Sequence, residues 1–259
     1  MRISAIRLAA AGLLLTSAAA AGAQTRTAPP AATRAAQPFS GYLSLNAGAQ
    51  VAREAFEPTR SFPLYREQAR VETRYDTPAA LVFDLGGGVR VWQQLGIGAA
   101  VTRFQEERAA IVEGALPHPI FLSQNRDLND AVPDLTRIET AVHIHVAWLV
   151  PADDRVTVAV FGGPSLIRLE QDVITGLNLA ESYPYDDVEL ESATQARREE
   201  TALGFHAGAD VMYRITKQVG VGAIARYSRS TATIATDDDE QADVTAGGLQ
   251  LTAGLRWFF

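Results

Sequence analysis

Three histidines have a spacing that could support metal chemistry. His143 and His145 are separated by one residue, so both side chains lie on the same face if this segment is a strand. His206 and Asp210 share a face of a second predicted strand. Imidazole pairs bind transition metals. The same residues can instead hydrogen-bond to one another in a polar interior, and the sequence favours this interpretation. No metal site, cofactor or catalytic residue is therefore predicted.

Charged residues recur on the same predicted face as the histidines. They are Asp84, Arg90, Glu139, Asp210, Arg226 and Arg256. With His143, His145 and His206 they form a predicted network inside the protein, where opposite charges pair. Such a network could serve as a polar core or line a narrow, gated pore. The core is favoured, because a small barrel has an interior just wide enough for side chains to fill.

The elements that would position these residues are strands. Apolar and polar residues alternate with period two from residue 39 onward, over eight segments. These cover residues 43–51, 80–92, 95–104, 137–150, 155–170, 200–213, 218–235 and 249–259. Short and long connections alternate between them, as in barrels that cross a membrane. The prediction is an all-β fold, an eight-stranded antiparallel up-and-down transmembrane β-barrel whose apolar face points outward to lipid.

The N-terminal region has the composition of an export signal. Residues 1–23 contain a short basic region, an apolar run and small residues, and are predicted to be a cleaved signal peptide. Residues 24–38 are predicted to be a flexible periplasmic leader, and residues 39–259 the barrel domain. The net charge of -7 argues against nucleic acid as a partner.

The last strand resembles a known signal. Residues 251–259 alternate up to a final aromatic, with Leu255, Trp257 and Phe259 on one face. This stretch, with residues 94–101 and 218–227, resembles bacterial outer-membrane β-barrel proteins of the OmpA/OmpX type. The resemblance implies an integral outer-membrane location, outer-membrane lipids and lipopolysaccharide as surroundings, and recognition of the terminal Phe by the barrel-assembly machinery.

The long loops are the candidate interaction sites, because binding residues concentrate in loops. The candidates are Pro117, His118, Pro119, Phe121, Tyr183 and Tyr185. The apolar segment 116–122 could bind a partner or fold down to cap its own barrel, and capping is favoured. No extracellular ligand is predicted.

The expected function is a structural or surface-interaction role through these loops. The alternatives are a small gated diffusion pore and a lipid A-modifying enzyme, since some barrels of the resembling class are such enzymes. An enzyme is disfavoured here because the histidines are predicted to point inward, away from lipid. A soluble lipocalin-like barrel is the remaining alternative fold.

Overall fold

The structure, a computed structural model, describes residues 39–52, 57–75, 79–235 and 241–259. The predicted signal peptide and leader lie outside these ranges. No helix in the described ranges is long and apolar enough to cross a membrane. The strands are β1 (Gly41–Ala52), β2 (Thr59–Leu64), β3 (Glu67–Tyr75), β4 (Ala80–Trp92), β5 (Leu95–Pro117), β6 (Asn125–Pro151), β7 (Val156–Glu181), β8 (Val188–Arg214), β9 (Val219–Ala235) and β10 (Gln241–Phe258).

Eight of the strands close into a ring. Within the ring, β1 and β4 to β10 each pair antiparallel with two neighbours, and the pairing of β5 with β6 closes the ring. Sequential strands are neighbours, except that β1 pairs with β4 and, at closure, with β10. The prediction of an all-β, eight-stranded antiparallel up-and-down barrel is confirmed. One end of the ring, called here the turn end, carries the short turns β4–β5, β6–β7 and β8–β9; the opposite end is called the hairpin end.

The outer surface of the ring is apolar and its interior is polar. Leu85 and Ile144 have 60% and 61% of their surface exposed, whereas the adjacent Asp84 and His143 are 1% and 0% exposed. Further exposed side chains of this apolar belt are Leu43, Leu45, Phe83, Val101, Val146, Val160, Leu203, Phe205, Val211, Leu251 and Leu255. This inverted distribution is typical of barrels that cross a membrane, where the outer face meets hydrocarbon.

The strands extend much further at the hairpin end than the sequence predicts. The segment 105–136 was predicted to be a loop, but β5 continues to Pro117 and β6 begins at Asn125. β7 and β8 likewise pair up to Glu181 and Val188. Beyond the belt the pattern inverts, since apolar side chains point inward and polar ones point to water. Apolar residues alternate only weakly in these segments, and for this reason the sequence did not predict them as strands.

Two additional strands occupy the first long connection. β2 and β3 form a hairpin whose turn residues Tyr65 and Arg66 have φ values of 49° and 69°. Positive φ at both positions is the geometry of a tight hairpin turn. β3 then pairs with β5 over residues 110–115. The predicted count of eight strands is thus correct for the ring, while ten strands are present in the described residues.

Apolar clusters fill the interior at both ends. At the turn end, Phe39, Tyr42, Leu149, Ala159, Met212 and Phe258 pack together. At the hairpin end a larger cluster, called here the upper core, includes Val71, Val112, Leu116, Leu128, Leu135, Leu169 and Val173. The polar interior lies between these two clusters. A cavity beside Tyr42 and His145 has a volume of only about 10 Å³, about the space of one water molecule.

Candidate functional site

Two buried ion pairs form the centre of the polar interior. Arg226 lies 2.7 Å from Asp84, and Arg256 lies 2.8 Å from Asp210. All four side chains are 3% exposed or less. The structure therefore brings together four of the residues that the sequence placed in an interior network.

Asn46 links the two pairs and was missed by the sequence analysis. Its side-chain amide donates a hydrogen bond to Asp84 at 2.6 Å, and its side-chain oxygen accepts one from Arg256. Asn46 is 2% exposed. Its position on the polar face of the first predicted strand was the available signal, because polar residues on that face all point into the barrel.

Two of the three interior histidines, His143 and His206, are joined by hydrogen bonds through Ser165. The Ser165 hydroxyl lies 2.8 Å from His143 Nδ1 and 2.9 Å from His206 Nδ1, and Thr102 Oγ1 lies 3.2 Å from His143 Nε2. The hydroxyl has one proton, so it donates to one imidazole and accepts from the other. The His145 ring is 4.9 Å from Phe161 and 5.6 Å from His206.

The chemistry open to this cluster is limited by its burial. His143, Ser165 and His206 are 0%, 1% and 2% exposed, so no substrate reaches the hydroxyl in this structure. Both ring nitrogens of His143 already have hydrogen-bond partners. Within the described ranges, no three His, Asp or Glu side chains are grouped so that they could hold a metal ion. The burial of these side chains and the two hydrogen bonds of His143 are properties of a polar core.

Glu139 and Arg90 lie at opposite ends of the polar interior. Glu139 accepts hydrogen bonds from Arg137 at 2.6 Å and from the backbone of Gly247 at 3.0 Å, directly below the upper core. Arg90 lies at the turn end, where its guanidinium is 5.2 Å from the centre of the Phe39 ring. The structure therefore does not bring Arg90 into the network of buried pairs.

We expect Gly98→Ala to destabilise the barrel by about 1–3 kcal/mol, the usual cost of overpacking. An added Cβ would lie 2.4 Å from His145 Nε2 and 2.8 Å from the Gly87 carbonyl oxygen. Gly176→Ala is the matched control, because its Cβ would meet nothing closer than 3.4 Å. Urea unfolding in lipid vesicles measures both changes. Equal stabilities for the two variants would contradict the packing described here.

Three hairpin tips meet at the hairpin end. This tip platform consists of residues 64–67, 117–124 and 181–187. Arg126 donates hydrogen bonds to Glu181 at 2.5 Å and to the Tyr185 carbonyl oxygen at 3.3 Å. Tyr65 donates to the same Glu181 carboxylate at 2.5 Å. The Ser123 backbone donates to Glu67 at 2.8 Å, so each tip is bonded to another.

The structure divides the predicted apolar loop segment into a buried and an exposed part. Pro117 and His118 are buried, and the His118 Nδ1 atom accepts hydrogen bonds from the backbones of Ile120 and Phe121 at 3.1 Å. Pro119 and Tyr185 are half-buried. Ile120, Phe121 and Leu122 of this segment are 56% to 75% exposed, and Tyr183 of the 181–187 tip is 83% exposed. The segment is thus buried in its first part and exposed in its second, and capping of the barrel by it stays a prediction.

The tip platform is expected to loosen in acid. Partial burial raises the pKa of Glu181, but hydrogen bonds from Tyr65 and Arg126 outweigh this effect and hold the pKa below its ordinary 4.5. The ionised carboxylate therefore stabilises the folded tips, fully above pH 4.5, and this contribution is lost as the pH falls through the lower folded-state pKa. Spin labels on Leu122→Cys and Tyr183→Cys should show a narrow distance distribution at pH 7 that broadens in this acid range.

Glu181→Gln supplies the control for this prediction. The variant lacks the ion pair at every pH, so its distance distribution should already be broad at neutral pH. A wild-type distribution that does not change on acidification, together with a narrow one in the variant, would show that Glu181 does not hold the tips together.

The residues of the predicted assembly signal lie at the end of β10. Leu255, Trp257 and Phe259 point outward and are 60%, 55% and 59% exposed. The Phe259 carbonyl oxygen accepts hydrogen bonds from Ser40 and Gly41 at 2.8 and 3.0 Å, which joins the last residue to the start of β1. Recognition of these residues by an assembly machinery stays a prediction.

Comparison with known proteins gives structural likenesses only. No protein-family model matches the chain, and no curated protein is similar to it. Among solved structures, Neisserial surface protein A is 16% identical with a TM-score of 0.40, covering 85% of this chain and 97% of its own. Outer membrane protein OprG from Pseudomonas aeruginosa is 8% identical with a TM-score of 0.46, covering 85% and 97%. The outer membrane protease OmpT from Escherichia coli is 10% identical with a TM-score of 0.46, covering 88% and 99%.

Proposed function

We propose that this chain is an integral outer-membrane protein with a closed barrel, which presents the tip platform to partners outside the cell. The observation that carries the proposal is the inverted distribution of side chains. An apolar belt surrounds an interior of buried ion pairs and hydrogen-bonded histidines. Such a surface is stable in hydrocarbon and would aggregate in water.

The ends of the barrel indicate its orientation. Membrane barrels have short turns on the periplasmic side and longer connections outside the cell. The turn end is therefore assigned to the periplasm, and the hairpin end with the tip platform to the exterior. Aromatic side chains near the turn end, namely Trp92, Trp148, Tyr213 and Trp257, suit the inner head-group region.

A surface-interaction role is supported by the exposed tips. Four large apolar or aromatic side chains project from a platform whose hairpins are tied together by Arg126 and Glu181. A rigid apolar patch at the tip of long strands suits contact with another surface, because little ordering entropy is lost on binding. The apolar clusters at both ends of the interior favour this role over a diffusion pore, and the burial of Ser165 and His143 favours it over an enzyme.

Cysteine labelling on intact cells tests the location and orientation. The sequence contains no Cys, so single cysteines can be introduced at Leu122 in the tip platform and at Asp154 in the β6–β7 turn. A membrane-impermeant maleimide should label Leu122→Cys on intact cells and Asp154→Cys only after the outer membrane is opened. Labelling of the two positions in the reverse order would reject the orientation, and labelling of neither after opening would reject export.

Adhesion to hydrocarbon tests the role of the tips. Cells that display the wild-type chain should partition into hexadecane more than cells that display a variant with Ile120, Phe121 and Leu122 replaced by Ser. Surface amounts are matched by introducing Tyr183→Cys into both chains and labelling it with the same impermeant maleimide, since Tyr183 is 83% exposed. Equal partitioning of the two would mean that these side chains do not act as a contact surface.

A further inference from the structure

A buried histidine fixes the turn that presents residues 120–122, called here the apolar tip. His118 is 2% exposed, and its side-chain Nδ1 atom accepts hydrogen bonds from the backbones of Ile120 and Phe121, each at 3.1 Å. The imidazole ring also lies 4.9 Å from the Phe121 ring. The His118 backbone donates to the Gln124 carbonyl oxygen at 2.8 Å, beyond the apolar tip. One imidazole therefore anchors the exposed apolar side chains to the rest of the tip platform.

The two hydrogen bonds to Nδ1 fix the protonation state of this imidazole. A ring nitrogen accepts a hydrogen bond only while it carries no proton, so the single proton of the neutral ring lies on Nε2. A second proton could bind only at Nδ1, where it would face the N–H groups of Ile120 and Phe121. Both hydrogen bonds would then be lost, and donors would face one another inside a buried turn. The protonated imidazole of His118 is thus incompatible with this turn.

Carboxylates of the tip platform offer the protonated ring another position. An oxygen of Asp186, whose side chain is 64% exposed, lies 3.8 Å from the His118 Nε2 atom. That nitrogen has no hydrogen-bond partner among the described residues. Glu181 also interacts electrostatically with His118. Further titratable or charged groups reach the platform from the β2–β3 hairpin and from β6, namely Tyr65, Glu67 and Arg126. Protonated His118 can therefore leave the turn and pair with Asp186 at the surface.

We propose that His118 is a pH-sensitive latch, which holds the apolar tip in a fixed turn while its imidazole is neutral and releases it in mild acid. Imidazoles gain their second proton at about pH 6.5, whereas carboxylates are protonated at about pH 4. The sequence has four histidines, and the other three lie inside the barrel. The inference rests on the contact role proposed above, because it makes the contact surface ordered in neutral surroundings and mobile in mildly acid ones.

The spin-label pair at Leu122→Cys and Tyr183→Cys measures the latch in the purified full chain. The distance distribution should broaden in two steps, first between about pH 7.5 and about pH 5.5 and then in the lower range of Glu181. His118→Asn is the matched control, because the Asn Oδ1 atom is as many bonds from the backbone as Nδ1 and accepts hydrogen bonds at every pH. Labelled chains that carry His118→Asn should show the second step only. The absence of the first step with His118 in place, or the same first step in His118→Asn, overturns the latch.

Amide hydrogen exchange of the wild type decides the matter if His118→Asn does not hold the turn at any pH. After correction for the intrinsic effect of pH, exchange at Ile120 and Phe121 should become about tenfold faster over the first step, the size of effect that one lost hydrogen bond gives. Unchanged protection overturns the latch. The hexadecane assay at neutral pH separates the two proposals. Equal partitioning of the wild type and the serine variant overturns the contact role alone, whereas unequal partitioning without the first step overturns the latch alone.

Discussion

Replacing Arg226 by Met is expected to lower the free energy of unfolding by about 3–5 kcal/mol, the usual cost of removing one partner of a buried ion pair. The Asp84 carboxylate would keep only its hydrogen bond from Asn46 at 2.6 Å and would lose the cation 2.7 Å away. Both residues are 3% exposed or less, so water cannot replace the lost partner. Urea unfolding of the barrel in vesicles, followed by its mobility on gels without heating, measures the effect.

Two further variants identify the cause of this loss. Adding Asp84→Asn to Arg226→Met removes the unpaired charge and should restore part of the stability. Glu199→Gln, which breaks an exposed pair with Arg168, should cost less than about 1 kcal/mol. A loss no larger for Arg226→Met than for Glu199→Gln would show that Asp84 and Arg226 are not a buried pair.

Leu169→Ala is expected to destabilise the upper core by about 2–5 kcal/mol, the usual cost of a large-to-small change in a packed core. Leu169 is 0% exposed and belongs to the cluster that fills the barrel at the hairpin end. The long hairpins should open before the membrane-spanning ring, because the apolar belt does not depend on this cluster. The measurement is the urea concentration at which trypsin cuts the hairpins while the ring still runs as folded on a gel.

Leu122→Ala is the control for the upper core. Leu122 is 75% exposed in the tip platform, so its truncation should change the stability by no more than about 0.5 kcal/mol. If trypsin cut the hairpins at the same urea concentration in Leu169→Ala and in Leu122→Ala, the hairpin end would not be stabilised by an apolar core.

The ring of eight strands was predictable because lipid imposes one strong pattern. In the belt, each outward position must be apolar, so residues such as Leu85 and Ile144 stand out against Asp84 and His143. Outside the belt, outward positions face water and can be polar. Inward positions in the upper core can be Ala or Gly as well as Val or Leu. The strands of residues 105–136 therefore lacked a clear apolar period and were predicted to be a loop.

The interior was predictable in composition but not in pairing. The alternation of side chains along each strand is enough to place Asp84, Arg226 and Arg256 on the inward face. Which residues meet depends on the register of strands that are far apart in the chain; Asp84 and Arg226, for example, are separated by 142 positions. Asn46 and Ser165 carry no charge and belong to no motif, so only the register reveals that they bridge the ion pairs and the histidines.

Single-channel recording in a planar bilayer tests the closed barrel most directly. The two apolar clusters and the paired charges predict that the inserted chain, shown to be folded by its mobility on gels, passes no discrete current steps. Discrete steps whose size changes when Arg226 or Arg256 is neutralised would contradict the closed interior and favour a gated pore.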